Sequence, residues 1–420
     1  MPNLTLLSSR PLGRLLPTLL LVLTVFGPIS MDLYLPVLPA LTVELGAATS
    51  TAQLTVTACL IGLALGQLCA GPLSDRFGRS ALLYAGVVAY IAASVLCAVG
   101  PTVETLIGAR LIQGLAGGAG IVIAQAAGRD IYSGGALIRY YGRMTVLGGL
   151  AAIIGPLLGG QLAMVTNWRG LFLFLAAIGT LILAAISLVY RETLPAHHRT
   201  AGGFAQTRRD FRALLSNRRF TGAVLVQGMV NAALFAYLSG ATYVLQGGYG
   251  LSPQQYALAF GLNSAGFMVF GYLAGRSSER WSVKGTLAAG LAMCALGALG
   301  LLTSGLFALP LAAVVVSLLV MVSGVAVTTP PTTALALADY PHIAGTASSL
   351  LGMARFAFGA VSAPFVGIAG AANMLPLGVV TVVSGALAVG AYATLLARRR
   401  RRRTTAEPAS QRELTGARAC

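Results

Sequence analysis

Twelve apolar runs, each long enough to cross a bilayer as a helix, follow one another along a chain of 420 residues. They fall at roughly 15–38, 52–71, 81–99, 104–126, 144–165, 169–189, 219–244, 254–275, 285–304, 308–330, 344–369 and 373–396. A hydrocarbon core needs about 20 apolar residues of helix to cross it. In lipid every backbone N–H and C=O of such a segment must be bonded internally. Twelve such runs leave no room for a large soluble domain and predict an all-α integral membrane chain. The composition agrees: 56% of residues are hydrophobic and 9% charged, against about 25% charged in a soluble protein.

The formal charge of +17 would suggest a nucleic-acid partner in a soluble chain. Here the basic residues sit in the gaps between runs and read as topology. Twenty-five of the 28 Lys and Arg residues fall on one side when the runs are threaded alternately across a membrane. Only Arg169 falls on the other side, while Arg110 and Arg355 lie within runs. By the positive-inside rule the crowded side is cytoplasmic, and so are both termini. No nucleic-acid partner is expected, and membrane lipid is. The five cysteines show no metal or disulfide spacing. His197, His198 and His342 form no zinc-like set, which argues against an integral-membrane enzyme.

The longest polar gap divides the runs six and six. The chain therefore reads as an N-terminal half over 1–190, a cytoplasmic linker over 191–218, a C-terminal half over 219–396 and a basic cytoplasmic tail over 397–420. Within the gap, "RRDFRALLSNRRF" has the pattern of a basic amphipathic helix on the cytoplasmic surface; a purely topogenic linker has the same composition. The halves echo each other. "GPLSDRFGR" at 71–79 and "GYLAGRSSER" at 271–280 both join the second and third runs of their half, and "IGPLLGG" at 154–160 has a counterpart in "APFVGIAG" at 363–370. Duplicated six-helix halves are the layout of alternating-access transporters.

Four stretches carry a more specific resemblance. "GPLSDRFGRSALL" resembles the major facilitator loop signature through Gly71, Asp75, Arg76, Gly78 and Arg79, with Ser80 where a second basic residue is usual. "RLIQGLAGGAG" in the fourth run resembles that superfamily's RxxQG signature through Arg110, Gln113 and Gly114. "GGLAAIIGPLLGGQL" in the fifth resembles the signature associated with antiporters through Gly155, Pro156, Gly159 and Gly160, with Ala151 replacing the first glycine. "SMDLYLPVLPAL" in the first resembles the Bcr/CflA pattern through Asp32, Tyr34, Pro36 and Pro39. The chain resembles a twelve-span drug:proton antiporter of the Bcr/CflA type over nearly its whole length.

That resemblance implies a monomeric, multi-pass protein of the bacterial inner membrane. It would export small amphipathic compounds, chloramphenicol-like or bicyclomycin-like, against an inward flow of protons, with the proton gradient in place of a cofactor. Asp75 would meet the start of the eleventh run near Ile343 and act in gating. Asp32, the only acid well inside any run, would take part in proton and substrate exchange, and Arg110 would bear on it. Desolvation disfavours its carboxylate form, whereas a nearby cation favours it. A polar cap at the outer end of the run is the alternative for Asp32, and snorkelling to the membrane surface the alternative for Arg110. Tyr34, Gln113, Asn231, Tyr237, Asn263 and Arg355 are candidates to line the substrate cavity, and interhelical hydrogen bonds are the other use for such residues. A proton-coupled symporter or facilitator for a sugar or other metabolite is the alternative function on the same fold.

Overall fold

The computed structural model describes residues 15–132, 134–195, 204–277, 282–337, 340, 344–367 and 373–396. The basic tail, Trp281, Ile343 and the three histidines lie outside the described residues, as does part of the 363–370 repeat. The N-terminal half begins with a broken span: α1 (Leu16–Asp32), a 3-10 turn (Leu35–Val37) and α2 (Leu38–Glu44). It continues with α3 (Thr49–Phe77), α4 (Arg79–Val99), α5 (Val103–Ile131), α6 (Gly134–Leu162) and α7 (Trp168–Val189). The linker holds α8 (Phe204–Ser216). The C-terminal half is α9 (Arg218–Tyr243), α10 (Pro253–Ser277), α11 (Val283–Phe307), α12 (Leu311–Leu337), α13 (Ala344–Ser362) and α14 (Leu375–Ala391).

Eleven spans among the described residues are long and apolar enough to cross a membrane. The 29-residue α6 takes the place of the run read at 144–165. Several spans start where a side chain satisfies an otherwise orphaned N–H: Thr102 caps α5, Asn167 caps α7, Asn217 caps α9 and Ser282 caps α11. Large apolar side chains such as Leu181, Leu188 and Val361 remain exposed on the outer surfaces. Such a surface suits a hydrocarbon solvent.

Three sequence boundaries are corrected. The first span does not stop at 38 but runs to Glu44, because Pro36 and Pro39 fall in the first turns of the 3-10 segment and of α2, where a missing N–H breaks no bond. Asp32 therefore lies mid-span and not near an end. The loop read at 71–79 is mostly helix: α3 continues through Phe77 and the reversal is made by Gly78 alone, at φ 92°. The amphipathic segment read as "RRDFRALLSNRRF" is divided at Asn217, so that Arg218, Arg219 and Phe220 begin the next span.

Glycines set how closely the helices approach. A Cβ at Gly114 would meet the Cys59 carbonyl, and one at Gly62 the Leu111 carbonyl, so α3 and α5 interlock backbone to backbone. In the other half Gly297 lies against Met321 and Gly324 against Cys294, locking α11 to α12. The halves meet through α3 against α13 and α6 against α10.

Candidate functional site

Asp32 ends α1 at the break in the first span and is 8% exposed. It has no hydrogen bond or ion pair among the described residues, and Arg355 and Arg110 are the cations whose charge reaches it. Span-five glycines build the space around it. A Cβ on Gly155 would stand 3.0 Å from the Asp32 Cβ, one on Gly159 would overlap the Leu33 carbonyl oxygen, and one on Gly160 would lie 2.9 Å from Ala257 Cβ of α10. The glycine motif thus seats α6 against the break on one side and against the opposite half on the other. Pro156 lies inside the same helix.

Arg110 is fully buried, which removes the snorkelling alternative. Its guanidinium donates to the Ser30 carbonyl (3.2 Å) and to Gln113 Oε1 (2.5 Å) and stacks over the rings of Tyr34 (4.3 Å) and Phe172 (5.6 Å). Gln113 in turn donates to Ser94 Oγ at 2.7 Å. Spacing of three along α5 puts Arg110 and Gln113 on one face, as the sequence indicates. Arg110 forms no ion pair with Asp32 among the described residues: carbonyl, amide and aromatic faces of its own half hold it. Such an environment lowers the cost of an intramembrane cation.

The remaining cavity candidates divide. Tyr34 is fully buried and its hydroxyl meets Thr55 Oγ1 at 2.9 Å. Asn263 donates to the Tyr237 hydroxyl at 3.0 Å, and Tyr237 stacks on Phe260. The charge of Asp32 reaches Tyr237. Arg355 keeps its Nε buried without a hydrogen-bond partner and faces Asp32 from the C-terminal half. Asn231 uses its amide on the Gln227 carbonyl of its own helix at 2.7 Å. Asp32 thus lies within electrostatic reach of both Tyr237 and Arg355, while Asn231 serves its own helix.

At the predicted cytoplasmic end, Arg79 pairs with Asp75 at 2.6 Å and with Asp130 at 3.3 Å, and also donates to Ser74. Glu192 accepts from the backbone N–H groups of Arg79 and Ser80 at the start of α4, a favourable place for an anion. Arg76 stacks over Phe77, and Gly71 packs loosely near Val122. Sequence reasoning missed Asp130 and Glu192 because it counted only the basic residues of these gaps; two acids among so many arginines were the available signal.

Among the described residues, four hydrogen bonds join the halves at the opposite, predicted external end. Thr42 Oγ1 meets the Tyr243 hydroxyl at 2.7 Å, Gln53 donates to the Ser239 carbonyl at 3.3 Å, Gln246 to the Pro36 carbonyl at 2.8 Å, and Gln254 to the Gly160 carbonyl at 3.2 Å. Every group in this latch is neutral. Nothing in the sequence pattern marks these residues, which pair across long separations.

Comparison with known proteins agrees with this fold. The model of the Major Facilitator Superfamily matches residues 20–364. An uncharacterized MFS-type transporter, YdgK, of Bacillus subtilis is 34% identical over 88% of this chain and 93% of its own. A chloramphenicol resistance protein of Pseudomonas aeruginosa is 29% identical over 77% and 76%, and a bicyclomycin resistance protein homolog of Haemophilus influenzae is 26% identical over 81% and 85%. A solved bacterial homolog of the human lysosomal transporter Spinster, in an inward-facing and unoccupied conformation, superposes with TM-score 0.71 over 92% of this chain and 98% of that one, at 16% identity. The chain belongs to the Major Facilitator Superfamily.

Proposed function

We propose that this membrane transporter is a proton-coupled exporter of small amphipathic drugs, of the Bcr/CflA type, working in a bacterial cytoplasmic membrane with both termini inside. The observation that carries the reading is Asp32: an acid buried mid-span, at a helix break, without a bonding partner, between a glycine-built helix contact and two cations. A buried ionisable group of this kind is expensive, and within a membrane such groups mark pathways for ions or substrate. The similarity to chloramphenicol and bicyclomycin resistance proteins supports a drug as the exported solute. In this reading Asp32 carries the proton, Arg110 and Arg355 set its electrostatic surroundings, and Tyr34, Tyr237 and Asn263 line the substrate path.

The test is drug-induced proton release from the purified full chain, measured beside drug binding and resistance. Asp32→Asn keeps size and hydrogen bonding but cannot titrate. It is expected to retain binding, to lose proton release and to lose resistance. Proton-coupled export by Asp32→Asn at the wild-type rate would sink the assignment. Accumulation of drug or sugar down the proton gradient by the wild type would instead favour the symporter.

A further inference from the structure

We propose that α8 carries a binding site for anionic phospholipid headgroups of the cytoplasmic leaflet, formed by Arg208, Arg209 and Arg212 around Leu215. The helix has two dissimilar faces. Leu214 is fully buried, and with Phe211 it joins an apolar cluster containing Phe220 of α9 and Ala347, Leu350 and Leu351 of α13. That cluster docks α8 firmly on the C-terminal half. On the other side Arg208, Arg209 and Arg212 are all exposed, and Leu215 is 48% exposed beside them.

Helical spacing sharpens the pattern. Arg208, Arg212 and Leu215 stand at i, i+4 and i+7, a single stripe along the helix, with Arg209 flanking it. A leucine in line with arginines is poorly suited to water. It suits the boundary of a leaflet, where the leucine dips toward acyl chains and the guanidinium groups reach headgroup phosphates.

The height of the C-terminal end of α8 is fixed by covalent geometry. One residue, Asn217, separates it from α9, and Asn217 Oδ1 caps that span by accepting from the N–H groups of Arg219 and Phe220. Thr221 Oγ1 also donates to the Leu215 carbonyl at 2.7 Å, tying the end of α8 to the first turn of the span. The Arg212–Leu215 end of the stripe therefore lies where a membrane-crossing helix begins, at headgroup level. Guanidinium groups match phosphate oxygens in charge and in fork geometry. An anionic phospholipid answers both halves of the stripe, arginine and leucine, whereas a free phosphate answers only one.

The experiment uses the full chain in nanodiscs with a fluorophore on Ala213→Cys, an exposed position beside the stripe that leaves Leu215 in place. Brominated phosphatidylglycerol and brominated phosphatidylcholine are supplied in turn as quenchers within the same equimolar mixture. One arginine near an anionic surface is worth about a fivefold change in lipid preference, so quenching by the anionic lipid is expected to reflect at least about fivefold enrichment. The triple variant Arg208→Gln, Arg209→Gln, Arg212→Gln should abolish the preference, and the corresponding triple lysine variant should keep most of it. With all three arginines in place, salt near 1 M should weaken it, because the Debye length falls to about 3 Å; this arm does not depend on the folding of the arginine variants. Equal quenching by the two lipids, or an undiminished preference in the glutamine variant, overturns the site. Displacement of the anionic lipid by millimolar inorganic phosphate would also overturn it, by showing that the phosphate group alone is recognised.

Discussion

Replacing Gly159 by alanine tests whether the span-five motif acts by allowing contact with the break in the first span. An alanine in a helix interior is favoured over glycine by about 0.8–1.0 kcal/mol. Against this, a Cβ at Gly159 would overlap the Leu33 carbonyl oxygen, which belongs to backbone and cannot swing aside. Overpacking of this kind costs about 1–3 kcal/mol, so Gly159→Ala should be neutral to about 2 kcal/mol destabilising. Gly148 lies on the same helix with nothing within 4 Å of the position its Cβ would take. Gly148→Ala should therefore gain up to about 1 kcal/mol, and the difference between the two variants isolates the steric contribution. Unfolding of the purified chain in detergent measures stability, and drug export from everted vesicles measures function. Because Leu33 follows Asp32, Gly159→Ala should also slow export more than Gly148→Ala. Equal shifts in stability and equal export by the two variants would refute the reasoning.

Asp75→Asn removes an ion pair whose carboxylate is 45% exposed, so stability should change by less than about 1 kcal/mol. Resistance should nevertheless fall at unchanged abundance if the pair helps to set one conformational state, and wild-type export would leave Asp75 as a topological signal. The double variant Thr42→Val, Tyr243→Phe deletes one bond of the external latch, worth about 0.5–1.5 kcal/mol. It should slow disulfide cross-linking between cysteines placed at Pro36 and Gln246, and an unchanged rate would exclude the latch. Arg355→Gln should make the separation of the halves, measured between spin labels on α3 and α13, insensitive to pH.

The spans were legible because a bilayer leaves a helix no alternative, so each apolar run had to appear as one. The Arg110 and Gln113 face followed from spacing alone. The first run was read to 38, but Pro36 and Pro39 sit in the first turns of new helical segments, where a missing N–H costs nothing, and the span continues to Glu44. The stretch 71–79 was read as a loop between two runs, but only Gly78 makes the reversal, since "GPLSDRF" is tolerable both as helix and as loop. The external latch was illegible for a different reason. Thr42 and Tyr243 lie 201 residues apart, and a neutral hydroxyl pair across two halves leaves no periodicity, charge or composition to detect.

Charge arrangement explains why the proposed coupling involves both halves. Arg110 has its charge spread over the Ser30 carbonyl, Gln113 and two aromatic faces, all within the N-terminal half. Asp32, in that same half, has no donor among the described residues. Arg110 also keeps Nε and Nη2 without an acceptor but belongs to the same half as Asp32, whereas the C-terminal half presents Arg355, its Nε likewise lacking an acceptor. Asp32 in one half and Arg355 in the other are within electrostatic reach of each other, so a motion between the halves changes their separation. At an effective dielectric of about 20, widening a unit-charge pair from about 6 Å to about 10 Å costs roughly 1 kcal/mol, or about a fivefold bias between two states. Protonation of Asp32 deletes that cost. An ionised Asp32 thus favours whichever state holds it nearer Arg355, and a proton releases the halves to separate. Arg355→Gln removes the bias while leaving the proton site intact, so a pH-dependent separation in that variant equal to the wild type's would place the coupling charge on some residue other than Arg355.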